Sequence, residues 1–246
     1  MRDVSLLDFD SGTGLSVDGT GSHYSLTVDI SDGSTTTPQS VKVYLNNVTT
    51  APVGNGNGAD IVDGGNGVES ISLGTGSDVA FGDGGNDTLS GDGAPDFVYG
   101  GAGTDTLNGN DANDRLYGGA GVDTLSGGAG SDTFIFGNGA LAAVDVITDF
   151  ASGSDKIHLV NDYAGLFTAL ATGSLDTSAF ASGANLTTAA DSSVHVIYDT
   201  TTGNLYYDAD GSGTNFDAIQ FAKLGTGVSH PGLTVNDFVI GGVPGP

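Results

Sequence analysis

The chain has 246 residues and a formal net charge of −25, with 30 acids against five Lys and Arg. That balance excludes nucleic acid as a partner, because phosphate binding needs Lys and Arg. The absence of cysteine excludes disulfides and thiol chemistry, and no apolar run approaches the ~20 residues of a membrane span.

Residues 1–53 read as β structure. Met1 is followed by Arg2 and Asp3 without an apolar core, so no N-terminal secretory signal is expected. Tyr24, Leu26, Val28 and Ile30 alternate with polar residues, as do Val41, Val43 and Leu45, and Asp32-Gly33 and Pro38 lie between the runs. The stretch from Tyr24 to Gly33, followed by Val41 to Val53, resembles the last two strands of bacterial cadherin-like domains, which tile long surface adhesins. At the linker that family usually has Asp-Val-Asn-Asp-Ala-Pro. This chain has Asn47-Val48-Thr49-Thr50-Ala51-Pro52, which argues against an interdomain calcium site. The segment is short beside the about 100 residues of such a sandwich. It is either the end of a domain in a larger chain or a pair of strands that packs on the neighbouring repeats.

Nine consecutive nonapeptides fill residues 55–135 with the pattern G-G-x-G-x-D-x-U-x, where U is apolar. The clearest runs from Gly118 to Ser126. The sixth position reads Asp60, Glu69, Asp78, Asp87, Asp96, Asp105, Asp114, Asp123, Asp132. The eighth reads Val62, Ile71, Ala80, Leu89, Val98, Leu107, Leu116, Leu125, Phe134. The triplet x-U-x is a short strand with U inward and its neighbours outward, since side chains alternate along a strand. The six residues before it form a turn in which glycines supply positive φ. Exposed carbonyls and the Asp offer hard oxygen ligands, which suit Ca²⁺ rather than zinc or copper.

An acid and an apolar residue held in phase over nine periods resemble the repeats-in-toxin (RTX) family of secreted bacterial proteins, with their calcium-binding parallel β-roll. The resemblance implies that two repeats make one coil, that turns i and i+2 stack, and that one Ca²⁺ sits between each stacked pair. Odd and even repeats then form separate ligand stacks, with seven stacked pairs in the block. Weak rungs are expected at Glu69, the one Glu in the chain, and at Ala94 and Ala112, which replace the fourth Gly. Asn55 and Leu73 replace the first Gly of repeats one and three. The block carries thirteen acids and one basic residue, Arg115. Its carboxylates repel and its glycines are entropically costly to fix, so the chain is expected to be disordered in low calcium and to fold when calcium arrives.

The two outward faces of the roll differ. In the even repeats the face is small and hydroxylated, with Thr88, Thr106 and Thr124, and it reads as solvated. In the odd repeats Phe81, Tyr99 and Tyr117 recur eighteen residues apart, beside Phe97. Large apolar patches mark contacts. Packing under residues after 136 is the expected reading. The alternative is a groove for a sugar, a peptide or a neighbouring domain.

After the block comes Asp145-Val-Ile-Thr-Asp149-Phe150-Ala-Ser-Gly153-Ser-Asp155-Lys156-Ile157-His-Leu159. It resembles the D-x-I-x-D-F-x-x-G-x-D-K-I-x-L motif that comes after RTX repeats. The resemblance implies that Asp145, Asp149 and Asp155 help close the roll, as calcium ligands among other roles. Leu166, Phe167 and Leu170 suggest a short helix. Val194 to Tyr198 and Leu205 to Tyr207 read as a hairpin, and Ala218 to Leu224 as a strand. Asp208 and Asp210 read as a turn, because Ile219 stands where an EF-hand loop has its Glu. The string from Ile197 to Gly213 resembles the C-terminal domain of RTX proteases, epimerases and adhesins exported by type I secretion. That implies an uncleaved secretion signal near Asp237-Phe238-Val239-Ile240.

No enzyme motif is present, and His23, His158, His195 and His230 are scattered. The chain is therefore expected to be all-β and not an enzyme. A β-hairpin or sandwich fragment occupies 1–53, a calcium-binding parallel β-roll 54–136, and a mainly antiparallel C-terminal capping and type I secretion domain 137–246. The expected role is calcium-driven folding of a secreted adhesin at the Gram-negative cell surface, with calcium and the type I secretion machinery as partners. The alternatives are the calcium-binding appendage of a secreted protease, lipase or alginate epimerase, or a ligand-binding module that uses the aromatic face.

Overall fold

The computed structural model describes residues 24–30, 39–45, 53–54, 57–137, 143–161, 167–227 and 230–242. A hairpin comes first: β1 (Tyr24–Ile30) pairs antiparallel with β2 (Gln39–Leu45). After β3 (Val53–Gly54), every repeat contributes one strand. These are β4 (Asp60–Asp63), β5 (Ser70–Ser72), β6 (Val79–Phe81), β7 (Thr88–Asp92), β8 (Phe97–Ala102), β9 (Thr106–Asp111), β10 (Arg115–Ala120), β11 (Thr124–Ala129) and β12 (Thr133–Phe136).

Each repeat strand pairs in parallel with the strand two repeats on. Val62 lies opposite Ala80, Ala80 opposite Val98, Val98 opposite Leu116 and Leu116 opposite Phe134. In the second sheet Ile71, Leu89, Leu107 and Leu125 form the matching row. The period of two repeats arises because the chain reverses at each Gly-rich turn. One strand goes to each sheet, and the U residues of both point between them. All nine are buried in one continuous core. This is the parallel roll that the repeat pattern predicts.

The chain does not leave this architecture after the repeats. β13 (Asp145–Ile147) adds to β11 and β14 (Lys156–Val160) adds to β12, both in parallel. The later strands are β15 (Gly173–Ser174), β16 (Phe180–Gly183), β17 (Val196–Asp199), β18 (Asn204–Tyr207), β19 (Ile219–Leu224) and β20 (Phe238–Gly241). Of these, β19 and β20 add one more parallel rung to each sheet. Antiparallel pairing is confined to β15 on β20 and to the meander β17–β18–β19, while β16 is parallel to β17. The C-terminal part is thus partly rather than mainly antiparallel. A tight turn makes β17 and β18 antiparallel, whereas β13, β14, β19 and β20 inherit the open edges of the roll and match its parallel direction.

The expected hairpin at 194–207 is present, with Asp199 opposite Asn204. At the other end β2 pairs in parallel with β4, Val43 opposite Ile61, so the N-terminal strands dock on the roll. Leu166 of the expected helix lies outside the described residues. Phe167 and Leu170 are buried and joined by a turn, with Leu170 N donating to Phe167 O at 3.0 Å. Phe136, Ile157, Phe167, Phe221, Phe238 and Ile240 continue the core of the roll without a break.

Candidate metal centre

Two columns of carboxylates climb the roll, one per stack of turns. In the first, Asp60, Asp78, Asp96 and Asp114 each donate a backbone N–H to Oδ1 of the acid one coil on, at 2.7, 2.7, 2.8 and 2.9 Å. Asp132 N donates to Asp155 Oδ1 at 3.1 Å, so Asp155 is the sixth member. In the second column Glu69, Asp87 and Asp105 do the same at 2.8 Å, and Asp123 N donates to Asp145 Oδ1 at 3.0 Å. All eleven acids are buried.

Oδ1 of each acid after the first of its column is thereby fixed, which leaves the second oxygen of most of them unused by these bonds. Seven carboxylate oxygens of the columns are buried without a hydrogen-bond partner: Glu69 Oε2 and Oδ2 of Asp78, Asp87, Asp96, Asp105, Asp114 and Asp123. A buried neutral polar group with no partner costs of order ~2–7 kcal/mol and a charged oxygen far more, so a row of them calls for a cation. The first glycine of each repeat shows what surrounds it. A Cβ on Gly91 would lie 2.6 Å from Asp96 Oδ2 and 2.8 Å from the Gly109 carbonyl oxygen. On Gly100 the same point lies 2.6 Å from Asp105 Oδ2 and 2.7 Å from Gly118 O. At Gly91 and Gly100 carboxylate and carbonyl oxygens therefore converge in the space that a side chain would fill. Among the described residues no three or more His, Cys, Asp and Glu gather. Each candidate site thus combines paired carboxylates with backbone carbonyls, the hard all-oxygen set of Ca²⁺ at its usual ~2.3–2.6 Å. The residues present fit that ion.

A family model described as the RTX calcium-binding nonapeptide repeat (four copies) matches residues 56–80, 63–98, 72–107, 81–116 and 108–140. The chain carries an RTX calcium-binding β-roll. No curated protein matches the chain.

In the RTX roll, burial is the main force on the columns. It pushes Asp96 up to about 7, and Asp105 and Asp114 up to about 6. Burial with the Asp123 and Asp105 charges pushes Asp145 up to about 8. Burial and the neighbouring Asp87 raise Glu69 as well. A cation in the columns would reverse these shifts, because it favours the charged form.

Asp149 stands apart from the other expected ligands. Its oxygens accept from Ser126 Oγ at 2.7 Å, Gly127 N at 3.0 Å and Gly128 N at 2.9 Å, so it caps the last odd turn and joins neither column. The sequence motif groups it with Asp145 and Asp155, since all three share one string. The fold separates them by which donors they meet. Asp92 is a capping acid that the repeat pattern does not single out. It accepts from Ser72 Oγ, from Ser90 Oγ at 2.6 Å and from Gly74 N at 3.2 Å. The signal available for it was an Asp at a glycine position. An eighth partnerless oxygen, Asp210 Oδ1, lies outside the roll in the loop after β18.

The aromatic residues of the odd face pack against one another along the sheet. Phe97, Ile135 and Val160 are buried on it, with Val79, Phe81, Tyr99 and Tyr117 half-buried against them. Phe81 and Tyr99 meet edge to face at 6.1 Å, and Tyr99 and Tyr117 lie 5.0 Å apart. A cavity of 280 Å³ beside Val79, Pro95, Phe97 and Arg115 is below the ~300–1,000 Å³ of small-molecule sites.

Proposed function

We propose that the RTX roll is a calcium-driven folding device of a secreted chain, serving the export and extracellular folding of a large surface adhesin. The ions would be held by Asp60, Asp78, Asp96, Asp114, Asp132 and Asp155 in one column and by Glu69, Asp87, Asp105, Asp123 and Asp145 in the other. Adjacent members give nine sites, two more than the repeats alone provide. Bound calcium would supply positive charge that offsets the stacked carboxylates and accepts lone pairs from their second oxygens.

The observation that carries this reading is the row of seven buried carboxylate oxygens without a partner. In low calcium such a roll holds like charges one coil apart in a poorly solvated interior, with little to balance the entropy of fixing its glycines. The chain then stays unfolded in the cytosol and passes the type I export machinery C-terminus first. Outside the cell, millimolar calcium matches the weak affinity of extracellular sites. Folding there disfavours return.

The test is a calcium titration of the chain, with far-UV circular dichroism for folding and calorimetry for stoichiometry. A coil-to-β transition with several ions bound, reversed by chelator and not induced by magnesium, is expected. A chain fully folded in chelator would sink the export-coupled mechanism.

A further inference from the structure

We propose that Asp237 is a positioning residue for Asp155, and so for the last calcium site of the first column, between Asp132 and Asp155. The inference rests on the proposed calcium binding by the two columns. Every earlier turn in this column is backed by the next turn of the column. The turn 151–155 is not, since no nonapeptide comes after it. Its acid meets the coil before it as the others do, with Asp155 Oδ1 accepting from Asp132 N, while Oδ2 accepts within the turn from Ala151 N at 2.7 Å.

What backs this turn comes from the far end of the chain. Asp237 is 0% exposed, on the turn just before β20. Its carboxylate accepts from Gly153 N at 2.8 Å and from Ser152 Oγ at 2.9 Å, across more than eighty residues. Its own turn adds Thr234 N at 2.7 Å and Thr234 Oγ1 at 3.1 Å. Lys156 Nζ donates to Asn236 O at 3.0 Å alongside. Four protein donors satisfy Asp237. Burial works against its charge, but the Thr234 and Gly153 N–H groups and the two hydroxyls hold its pKa below the ordinary value. A full charge on Asp237 therefore grips the middle of the turn, where Gly153 sits at φ +86°. The ends of that turn fix Asp155. Docking of β20 and completion of the last ion site are thus one event.

The experiment counts ions on the full chain by native mass spectrometry at calcium that saturates the wild type, with circular dichroism as the measure of fold. Asp237→Ala is expected to bind one ion fewer with the β signal retained. Asp155→Asn should also lose one, and the double variant one rather than two, because both changes act on one site. Asp237→Asn keeps an acceptor for Gly153 N and should regain the ion at about tenfold higher calcium. Ser152→Ala removes a single hydroxyl and should weaken only the last site, which keeps the test open if Asp237→Ala folds poorly. An unchanged ion count in Asp237→Ala, an even weakening of all sites in Asp237→Ala or Ser152→Ala, or two ions lost in the double variant would overturn the assignment. A wild type that takes up no calcium would overturn the proposed function, and this inference with it.

Discussion

Ala94 and Ala112 occupy the fourth position of their repeats at φ +78° and +84°. The glycines at that position in other turns, Gly76, Gly85, Gly103 and Gly121, reach φ +135° to +155°. A residue with a Cβ does not reach that region. On Gly103 a Cβ would overlap the Gly85 carbonyl. The two alanines fall back into the left-handed helical region, which costs an L-residue about 1–2 kcal/mol. Ala94→Gly should therefore stabilise the calcium-loaded chain. The greater freedom of glycine in the unfolded state offsets about 0.4–1 kcal/mol of that. A net gain somewhat under ~1 kcal/mol remains, or about 2–3 °C in a thermal melt for a chain of this size. A lower melting temperature would mean that the alanine methyl packs usefully and that the rung is not strained. Both alanines are legible as anomalies in the sequence. Position two is not: Asp83, Asp92 and Asn110 stand there at φ +66°, +68° and +75°. Asp and Asn tolerate this region, so they pass as variable residues of the repeat although the backbone demand is that of glycine.

The coil of two repeats is the unit of the fold, and every register in the roll is a step of eighteen residues. Removing residues 91–108 would take one strand from each sheet and leave the aromatic column, the hydroxyl face and both acid columns in phase. Removing residues 91–99 alone would shift everything after it by half a coil. Tyr117 would move to the hydroxyl face, and the strands of the C-terminal part would meet the wrong sheets. The longer deletion is therefore expected to fold in calcium with two fewer ions, and the shorter one to lose β signal and cooperativity. Circular dichroism and ion counting on the two deletions check this. Equal folding of both would mean that the half-coil, not the coil, is the unit. The same eighteen-residue step explains what the sequence hides. Asp145 and Asp155 continue the columns at steps of 22 and 23 residues. Periodicity alone cannot find them, and only their shared motif points to them. The motif in turn brings in Asp149, because it encodes the closing turn as a whole and not which acid meets which donor.

At the scale of the molecule two groups of acids respond to pH in opposite ways. Asp96, Asp105, Asp114 and Asp145 have folded-state pKa values pushed up by burial to about 7, 6, 6 and 8. Without metal the folded chain therefore holds more protons than the unfolded chain between about pH 4 and pH 8. Stability falls with rising pH wherever the native state binds more protons than the unfolded state. The contribution of these acids is fully present below the unfolded pKa and is lost as pH rises through the folded values. The capping acids Asp92 and Asp237 have lowered pKa values, and their contribution is lost only as pH falls below the ordinary carboxylate range. The metal-free chain should thus be most folded near about pH 4–5 and least folded at about pH 8. Calcium reverses the slope, because a coordinating carboxylate must be deprotonated. Acid then competes with the ion, and the calcium-loaded chain should weaken over the same interval in which the metal-free chain gains. Far-UV circular dichroism at about pH 4.5 and pH 8, in calcium-stripped and calcium-saturated buffer, gives four β signals whose order is fixed by this argument. If the stripped chain were instead more stable at the higher pH, the buried columns would not be what resists folding without metal. The calcium dependence would then have to come from the glycine turns alone.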